Sequence, residues 1–229
     1  KYTGCVVMGN RTQLSRLIDK LRMQPFKLGE VGNDLRKILS EYAKESYVFK
    51  CRNYTLDTVR KTFIMGIINV TSDSFSGDGL WGAHGTSDKL RKAIFKKVEQ
   101  FVKEGVDIVD VGAESSRPGA KPVSAQEEIA RLAPFLRSLV REFKLPFSVD
   151  TYKPPVAARA LDAGVSIIND ITGLQSISMR KLIAKYHAGA VIMHMRGKPQ
   201  TMQRNPSYHS LIDEIILFFK NALASASAC

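Results

Sequence analysis

The sequence predicts an α/β fold: about five βα units of a (β/α)8 TIM barrel, with a small N-terminal α+β extension. Three observations carry that expectation. From residue 61 onward, short Val- and Ile-rich runs recur as continuous apolar stretches, the pattern of parallel strands covered on both faces. Amphipathic segments with legible ends separate these runs, so strand and helix alternate five times. Four of the five runs finish on polar groups: Asn69, Asp110 with Glu114 just beyond, Asp150, then Asn169 with Asp170. A doubly wound sheet concentrates chemistry at one switch point, whereas a barrel delivers every strand's carboxyl end to one mouth. Polar endings on nearly every strand therefore favour the barrel.

Taken in order, residues 1–60 form the extension and residues 61–229 the partial barrel. "CVVMG" (5–9) reads as a strand, "TQLSRLIDKLRM" and "NDLRKILSEYAKE" as helices, and "SYVFKCRNYTL" as a hairpin. The join falls near Asp57–Lys61. The barrel strands are expected at 62–69, 106–111, 146–150, 165–171 and 190–195. Ser87 or Asp88 caps the first barrel helix, whose apolar positions include Leu90, Ile94, Val98 and Phe101. Ser124 and Glu127 have capping-box spacing, and Pro134 interrupts the helix they open. "PPVAARALDAG" begins with prolines and closes on Gly164, the usual asymmetry of helix ends. "SMRKLIAKYHAG" is expected to end on Gly189, and "SLIDEIILFFKNALASA" follows the fifth strand.

Composition narrows the function. The 229 residues suit one large domain or two small ones, and an apolar fraction of 44% supplies an ordinary core. No stretch approaches the roughly 20 apolar residues of a membrane span, and the opening "KYTGCVVMGN" is no secretory signal, so a cytoplasmic location is expected. Cys5, Cys51 and Cys229 are far apart and read as free thiols. The four histidines, His84, His187, His194 and His209, show no paired metal spacing. Net charge is +12, with 12 Lys/Arg against 6 Asp/Glu in the first 60 residues and 22 against 16 thereafter. Such a balance suits nucleic acid, an anionic membrane surface or a small phosphorylated substrate. The basic residues lie mostly on helix faces, as in "DKLRKAIFKKVEQFVKEG", without a basic stripe interleaved with aromatics. Neither nucleic acid nor membrane is the expected partner.

The segment "GIINVTSDSFSGDG" (66–79) carries chemistry. A strand that merely stops needs one or two turn residues, yet this one ends in Asn69, Thr71, Ser72, Asp73, Ser74 and Ser76 on a glycine-containing loop. Together "MGIINVTSDSFSGDG", "DVGAESSRPGA" (110–120), "SVDTYKP" (148–154), "IINDITGL" (167–174) and "MHMRGKPQTMQ" (193–203) resemble, in order, the strand-end signatures of dihydropteroate synthases, the pterin-binding TIM-barrel family. The resemblance covers residues 62 to about 203. Ser72 stands where the family usually has proline, Ala113 where it has glycine, and Ser116 where it has threonine. The resemblance implies condensation of p-aminobenzoate with 6-hydroxymethyl-7,8-dihydropterin pyrophosphate, giving 7,8-dihydropteroate and pyrophosphate for folate biosynthesis. It also implies small-molecule substrates, Mg²⁺ as cofactor and a homodimer at full length.

Residue by residue, the resemblance gives Asn69 the metal. A lone amide oxygen suits Mg²⁺, which keeps several waters and takes the rest of its shell from substrate phosphates. It gives Ser116 and Arg117 the aminobenzoate and pyrophosphate ends, which suits the fixed donor fork of arginine. It gives Asp150 and Asn169 the pterin edge, with Asp150, Asp110 and Arg117 as the catalytic groups. Met193 is expected on the pocket wall, and Met195 beside it is an equal candidate. A turn-forming Asn, a solvated loop arginine, capping residues at strand–helix junctions and a core methionine are the bland counterparts of these roles. His194 is expected to pack rather than to titrate, and Lys198 and Arg204 to steer anions or stay solvated.

The family's later motifs, an Asp in D-P-G-I-G-F, a Lys followed by Ser and an Arg-x-His, do not occur. The chain is therefore expected to be C-terminally incomplete by on the order of 90 residues, and inactive as a synthase by itself. Pterin-binding domains of methyltetrahydrofolate–corrinoid methyltransferases share the barrel and an Asn-rich mouth. They remain the alternative, beside an inactive pterin-binding relative.

Overall fold

The computed structural model describes residues 6–43, 47–71, 87–115, 122–197, 199, 201–203 and 205–229. Two compact units divide the chain: Lys1–Val48 with Asp57–Lys61, and Phe49–Leu56 with Thr62–Cys229.

Helices α1 (Arg11–Arg22) and α2 (Leu28–Tyr42) build the first unit. Asn10 accepts from the Gln13 N–H while Gln13 Oε1 accepts from the Asn10 N–H, both at 2.9 Å, so two amides at the helix start are satisfied reciprocally. Gly32 lets the helices close: a Cβ there would stand 3.1 Å from Arg22 Cγ and 3.2 Å from the Ile18 carbonyl. Helix α2 begins at Leu28, earlier than the Asn33 predicted, and Glu30 complements its dipole in the first turn. Of the strand expected over 5–9, the described residues 6–9 form none. Residues 6–10 have no regular structure, and Val6 and Met8 are 89% and 90% exposed, because an apolar run without a paired neighbour has no ladder to join.

In the second unit, β1 (Val48–Cys51) and β2 (Tyr54–Asp57) form a two-stranded sheet, the predicted hairpin. Five strands then form a sheet in chain order: β3 (Met65–Asn69), β4 (Ile108–Gly112), β5 (Phe147–Asp150), β6 (Ile167–Asp170) and β7 (Gly189–Ile192). Every pairing is parallel. The helices between and after them are α3 (Ser87–Lys103), α4 (Ala125–Leu132), α5 (Leu136–Glu142), α6 (Pro154–Ala163), α7 (Ile177–Tyr186) and α8 (Leu211–Ser227). The predicted partial barrel is the observed architecture.

Local chemistry sets the helix ends. Helix α3 already includes Ser87, so Asp88 serves in its first turn rather than as the cap. Ser124 Oγ accepts from the Glu127 N–H at 3.2 Å, but the Glu127 carboxylate turns to Arg131 at 2.5 Å, so half of the predicted box forms. Pro134, which lacks an N–H, separates α4 from α5 as expected. Gly164, at φ 106°, closes α6. His187, at φ 50°, ends α7, not Gly189 as the sequence suggested. Gly189 instead opens β7 beneath the hairpin, where a Cβ would stand 2.5 Å from Phe49 Cζ and 2.8 Å from Cys51 Cβ.

Alternation along each strand sorts the two faces. Ile68, Val109, Val111, Phe147, Val149 and Ile168 pack under the helices with Ile94, Val98, Leu132, Leu139 and Val156. Met65, Ile108 and Ile167 belong to a separate cluster with Phe49, Cys51, Tyr54 and Leu56 of the hairpin. The hairpin thus seals one end of the second face. Arg52 pins it there: its N–H donates to the His187 carbonyl at 2.7 Å, and Nη1 donates to the Leu161 and Val165 carbonyls at 2.8 and 3.0 Å. A cation at the α6 carboxyl terminus also complements the helix dipole.

Gly189→Ala is expected to destabilise the protein by about 1–3 kcal/mol, since neither Phe49 nor Cys51 can withdraw freely. Urea unfolding measures the loss. Gly29→Ala, where the nearest atom would lie 3.9 Å away, is the control and should be neutral or stabilising.

Candidate functional site

Strand register stacks the second face of the sheet into rows. The row nearest the carboxyl ends runs Asn69, Gly112, Asp150, Asn169, Val191. The row beneath it runs Ile67, Asp110, Ser148, Ile167, Gly189. Three of the residues singled out from sequence, Asn69, Asp150 and Asn169, therefore share one row. Asp110 does not share it. Strand β4 continues two residues past Asp110 to Gly112, which puts that carboxylate one row deeper, 4% exposed.

Depth changes the acids. Asp110 is raised above the ordinary carboxylate range by burial, which the Ser148 and Asn169 side chains beside it temper. Its Oδ1 has no hydrogen-bond partner. Asp150 is pushed up to about 7, first by burial and then by the negative charges of Asp110, Glu128, Glu114 and Asp170. Near neutral pH it is therefore only partly ionised, a perturbation of the kind found at functional carboxyl groups. Asp170 faces the other way. It ends β6 under the helices, and its Oδ1 accepts from the Thr172 N–H at 2.7 Å and from Thr172 Oγ1 at 2.6 Å, which turns the chain toward Gly173 at φ 74°.

Gly112 leaves space in the middle of the upper row. A Cβ there would lie 3.5 Å from Asn69 Oδ1 and 3.7 Å from Asp150 Oδ2, so two oxygen acceptors flank a position with no side chain. Among the described residues no three His, Cys, Asp or Glu side chains cluster as a metal cage. The amide and carboxylate oxygens fit a hard, partly hydrated cation that takes its other ligands from solvent or substrate.

A second group of charges, which the sequence reading found only at Glu114, lies beside this row. Lys153 Nζ donates to Glu114 Oε2 at 2.7 Å and to Glu128 Oε2 at 2.6 Å. Glu114 Oε1 accepts from the Val123 N–H at 2.9 Å and the Tyr152 hydroxyl at 3.4 Å. Burial raises Glu128 despite Lys153. Burial opposes the charge on Lys153, but its bonds to the two glutamates carry it above the usual lysine value. Glu128 sits on α4, 25 positions before Lys153, and no local pattern announces that they meet. The only signal was the place of Lys153 inside "SVDTYKP".

Met193 follows β7 directly and is half-buried, its N–H directed at the Asp170 carbonyl at 3.4 Å. The His194 ring stands edge-on to Phe218 of α8, centroids 4.9 Å apart. Ser116, Arg117, Lys198 and Arg204 lie outside the described residues. Cys51 and Cys229 are free thiols, the first buried.

The raised Asp150 has a consequence for stability. Its folded pKa of about 7 exceeds the ordinary value of about 4 for an unfolded aspartate, so its contribution is full below about pH 4 and is lost as pH rises through 7. Asp150→Asn should therefore stabilise the protein by on the order of 2 kcal/mol near pH 8 and leave it unchanged near pH 4. Thermal unfolding at the two pH values checks this.

Comparison with known proteins agrees with the geometry. The family described as pterin binding enzyme matches residues 65–229. Dihydropteroate synthase of Synechocystis sp. is 40% identical over 164 residues, covering 71% of this chain and 54% of the relative. The solved Yersinia pestis dihydropteroate synthase with a sulfonamide drug complex superposes with a TM-score of 0.70 at 37% identity, covering 80% of this chain and 63% of that one. Burkholderia cenocepacia dihydropteroate synthase, complexed with 7,8-dihydropteroate, gives 0.65 at 32%, covering 79% and 58%. The chain spans about half the length of the Synechocystis relative. A parallel sheet that gathers Asn69, Asp150 and Asn169 along one row, in a sequence matched from β3 to its last residue, places this chain in the pterin-binding enzyme family.

Proposed function

We propose that the chain carries the first part of a dihydropteroate synthase site, which joins p-aminobenzoate to 6-hydroxymethyl-7,8-dihydropterin pyrophosphate and releases pyrophosphate. The observation that supports it most is the upper row itself: an amide oxygen, a bare glycine, a proton-exchanging carboxyl and a second amide, side by side. The solved relative bound to 7,8-dihydropteroate supports the ligand class.

Each residue has a task on this reading. Asn169 and Asp150 read the pterin edge, whose amidine-like N–H groups pair with an amide oxygen and a carboxylate. Donors from the ring favour the ionised form of Asp150, opposing the burial that holds its proton. As the bond between the pterin methylene and pyrophosphate oxygen breaks, positive charge grows on the pterin. Asp150 and, from the row below, Asp110 stabilise that charge in a site with little water. The amine of p-aminobenzoate forms the new bond to the methylene and gives up a proton. Arg117 and Ser116 hold the anionic ends of the substrates. Asn69 would hold Mg²⁺, which when bound neutralises charge on the departing pyrophosphate. Met193 packs against the pterin face. A cytoplasmic location and a homodimer belong to the same proposal and rest on the family resemblance. Among the described residues no helix is long and apolar enough to cross a membrane.

Calorimetry with the pterin pyrophosphate tests the proposal. Binding is expected to strengthen with Mg²⁺, and Asn69→Ala should remove the Mg²⁺-dependent part. Asp150→Ala should weaken binding about tenfold, in line with ~1–3 kcal/mol per unpaired bond. Lys97→Ala on α3, whose ammonium lies over the Phe101 ring, should change nothing. In turnover with p-aminobenzoate, measured in a full-length synthase that carries this segment, Asn69→Ala and Arg117→Ala should each cost roughly 10²-fold. Equal affinities for the Asp150 and Lys97 variants, or preferential binding of methyltetrahydrofolate, would overturn the reading.

A further inference from the structure

We propose that Lys153 is a positioning residue: by bridging Glu114 and Glu128 it fixes both ends of the β4–α4 connection against the end of β5. The geometry carries this. Lys153 lies three residues beyond Asp150, in the link from β5 to α6. Its ammonium reaches Glu114, which follows β4, and Glu128, on α4, at 2.7 and 2.6 Å. The three side chains are 15%, 12% and 0% exposed, so water screens little of the attraction. Glu114 then uses its other oxygen to accept from the Val123 N–H, nine residues on. One cation therefore closes the connection at its start, through Glu114, and at its end, through Val123 and α4.

A core does not need this arrangement for stability. Apolar side chains of similar volume generally serve as well as a buried ion group, whereas removing one partner leaves an uncompensated charge. What the ion group supplies is register among three segments that converge on the carboxyl end of the sheet. Arg131 reinforces it from α4, donating to the Ala113 carbonyl at 2.8 Å. Ser116 and Arg117 fall in sequence between Glu114 and Val123, outside the described residues, and the inference rests on the proposed function for what they bind. Tyr152 adds its hydroxyl to Glu114 and lies under the Lys153 ammonium, 4.9 Å from ring centroid to Nζ.

Lys153→Met keeps the length of the side chain and removes the charge. Hydrogen exchange should show the Val123 amide exchanging at least ten times faster, with the Val149 and Ile168 amides of β5 and β6 unchanged. Affinity for the pterin pyrophosphate should fall at least tenfold, and Lys153→Arg should restore most of both. If Lys153→Met does not fold, Glu114→Gln decides, because it weakens the bridge without leaving a bare charge on that side; faster exchange at Val123 is again expected. Unchanged Val123 exchange in whichever variant folds would overturn the positioning role, and so would faster exchange with unaltered affinity. A wild-type protein that binds no pterin would overturn the functional reading instead, while Val123 exchange still reports whether the bridge holds the connection.

Discussion

Charge taken out of water sets the terms for this structure. A carboxylate in a dry interior is tolerated only if a cation shares its field, donors satisfy its oxygens, or it keeps its proton. Five acids, Asp110, Glu114, Glu128, Asp150 and Asp170, gather near the carboxyl ends of β4, β5 and β6, and they meet that demand in different ways. Asp170 has one oxygen held by its own turn, while its Oδ2 has no partner. Glu114 and Glu128 share Lys153. Asp150 is left to the proton, and Asp110, with one oxygen unpartnered, is raised as well. A fully compensated set would be more stable and could not respond to a ligand.

The rest of the second unit supports that uneven distribution. Helices pack on one face of the sheet, where Phe147, Val149, Ile168 and their neighbours are buried. The hairpin closes the amino-terminal end of the other face with apolar side chains. Polar residues can then occupy the remaining end of that face without threatening the core. Gly112 and Gly189 divide this labour: one keeps space open in the upper row, the other lets the hairpin approach in the row below.

Most of the fold was legible because parallel strands announce themselves as apolar runs, and the five runs became the five strands. The errors share a cause. "CVVMG" is apolar enough for a strand, but strand formation needs a partner that local sequence does not specify. Gly189 resembled a helix stop because glycine often ends helices; the close approach of Phe49 that demands it comes from 140 residues upstream. At the site, motifs placed Asn69, Asp150 and Asn169 in one row, since register follows strand ends. They also grouped Asp110 with these strand ends, although β4 runs on to Gly112, one residue past its expected end. Lys153 and Glu128 escaped notice, as pairs made by tertiary contact leave no spacing to read.

Burial and acidic neighbours make ionisation of Asp150 costly enough to bring its titration near neutral pH. Carbon-13 NMR of the side-chain carboxyl groups, followed through a pH titration without ligand, measures this directly. The expected Asp150 midpoint is about 7. A midpoint near 4, the value of a solvated aspartate, would contradict it.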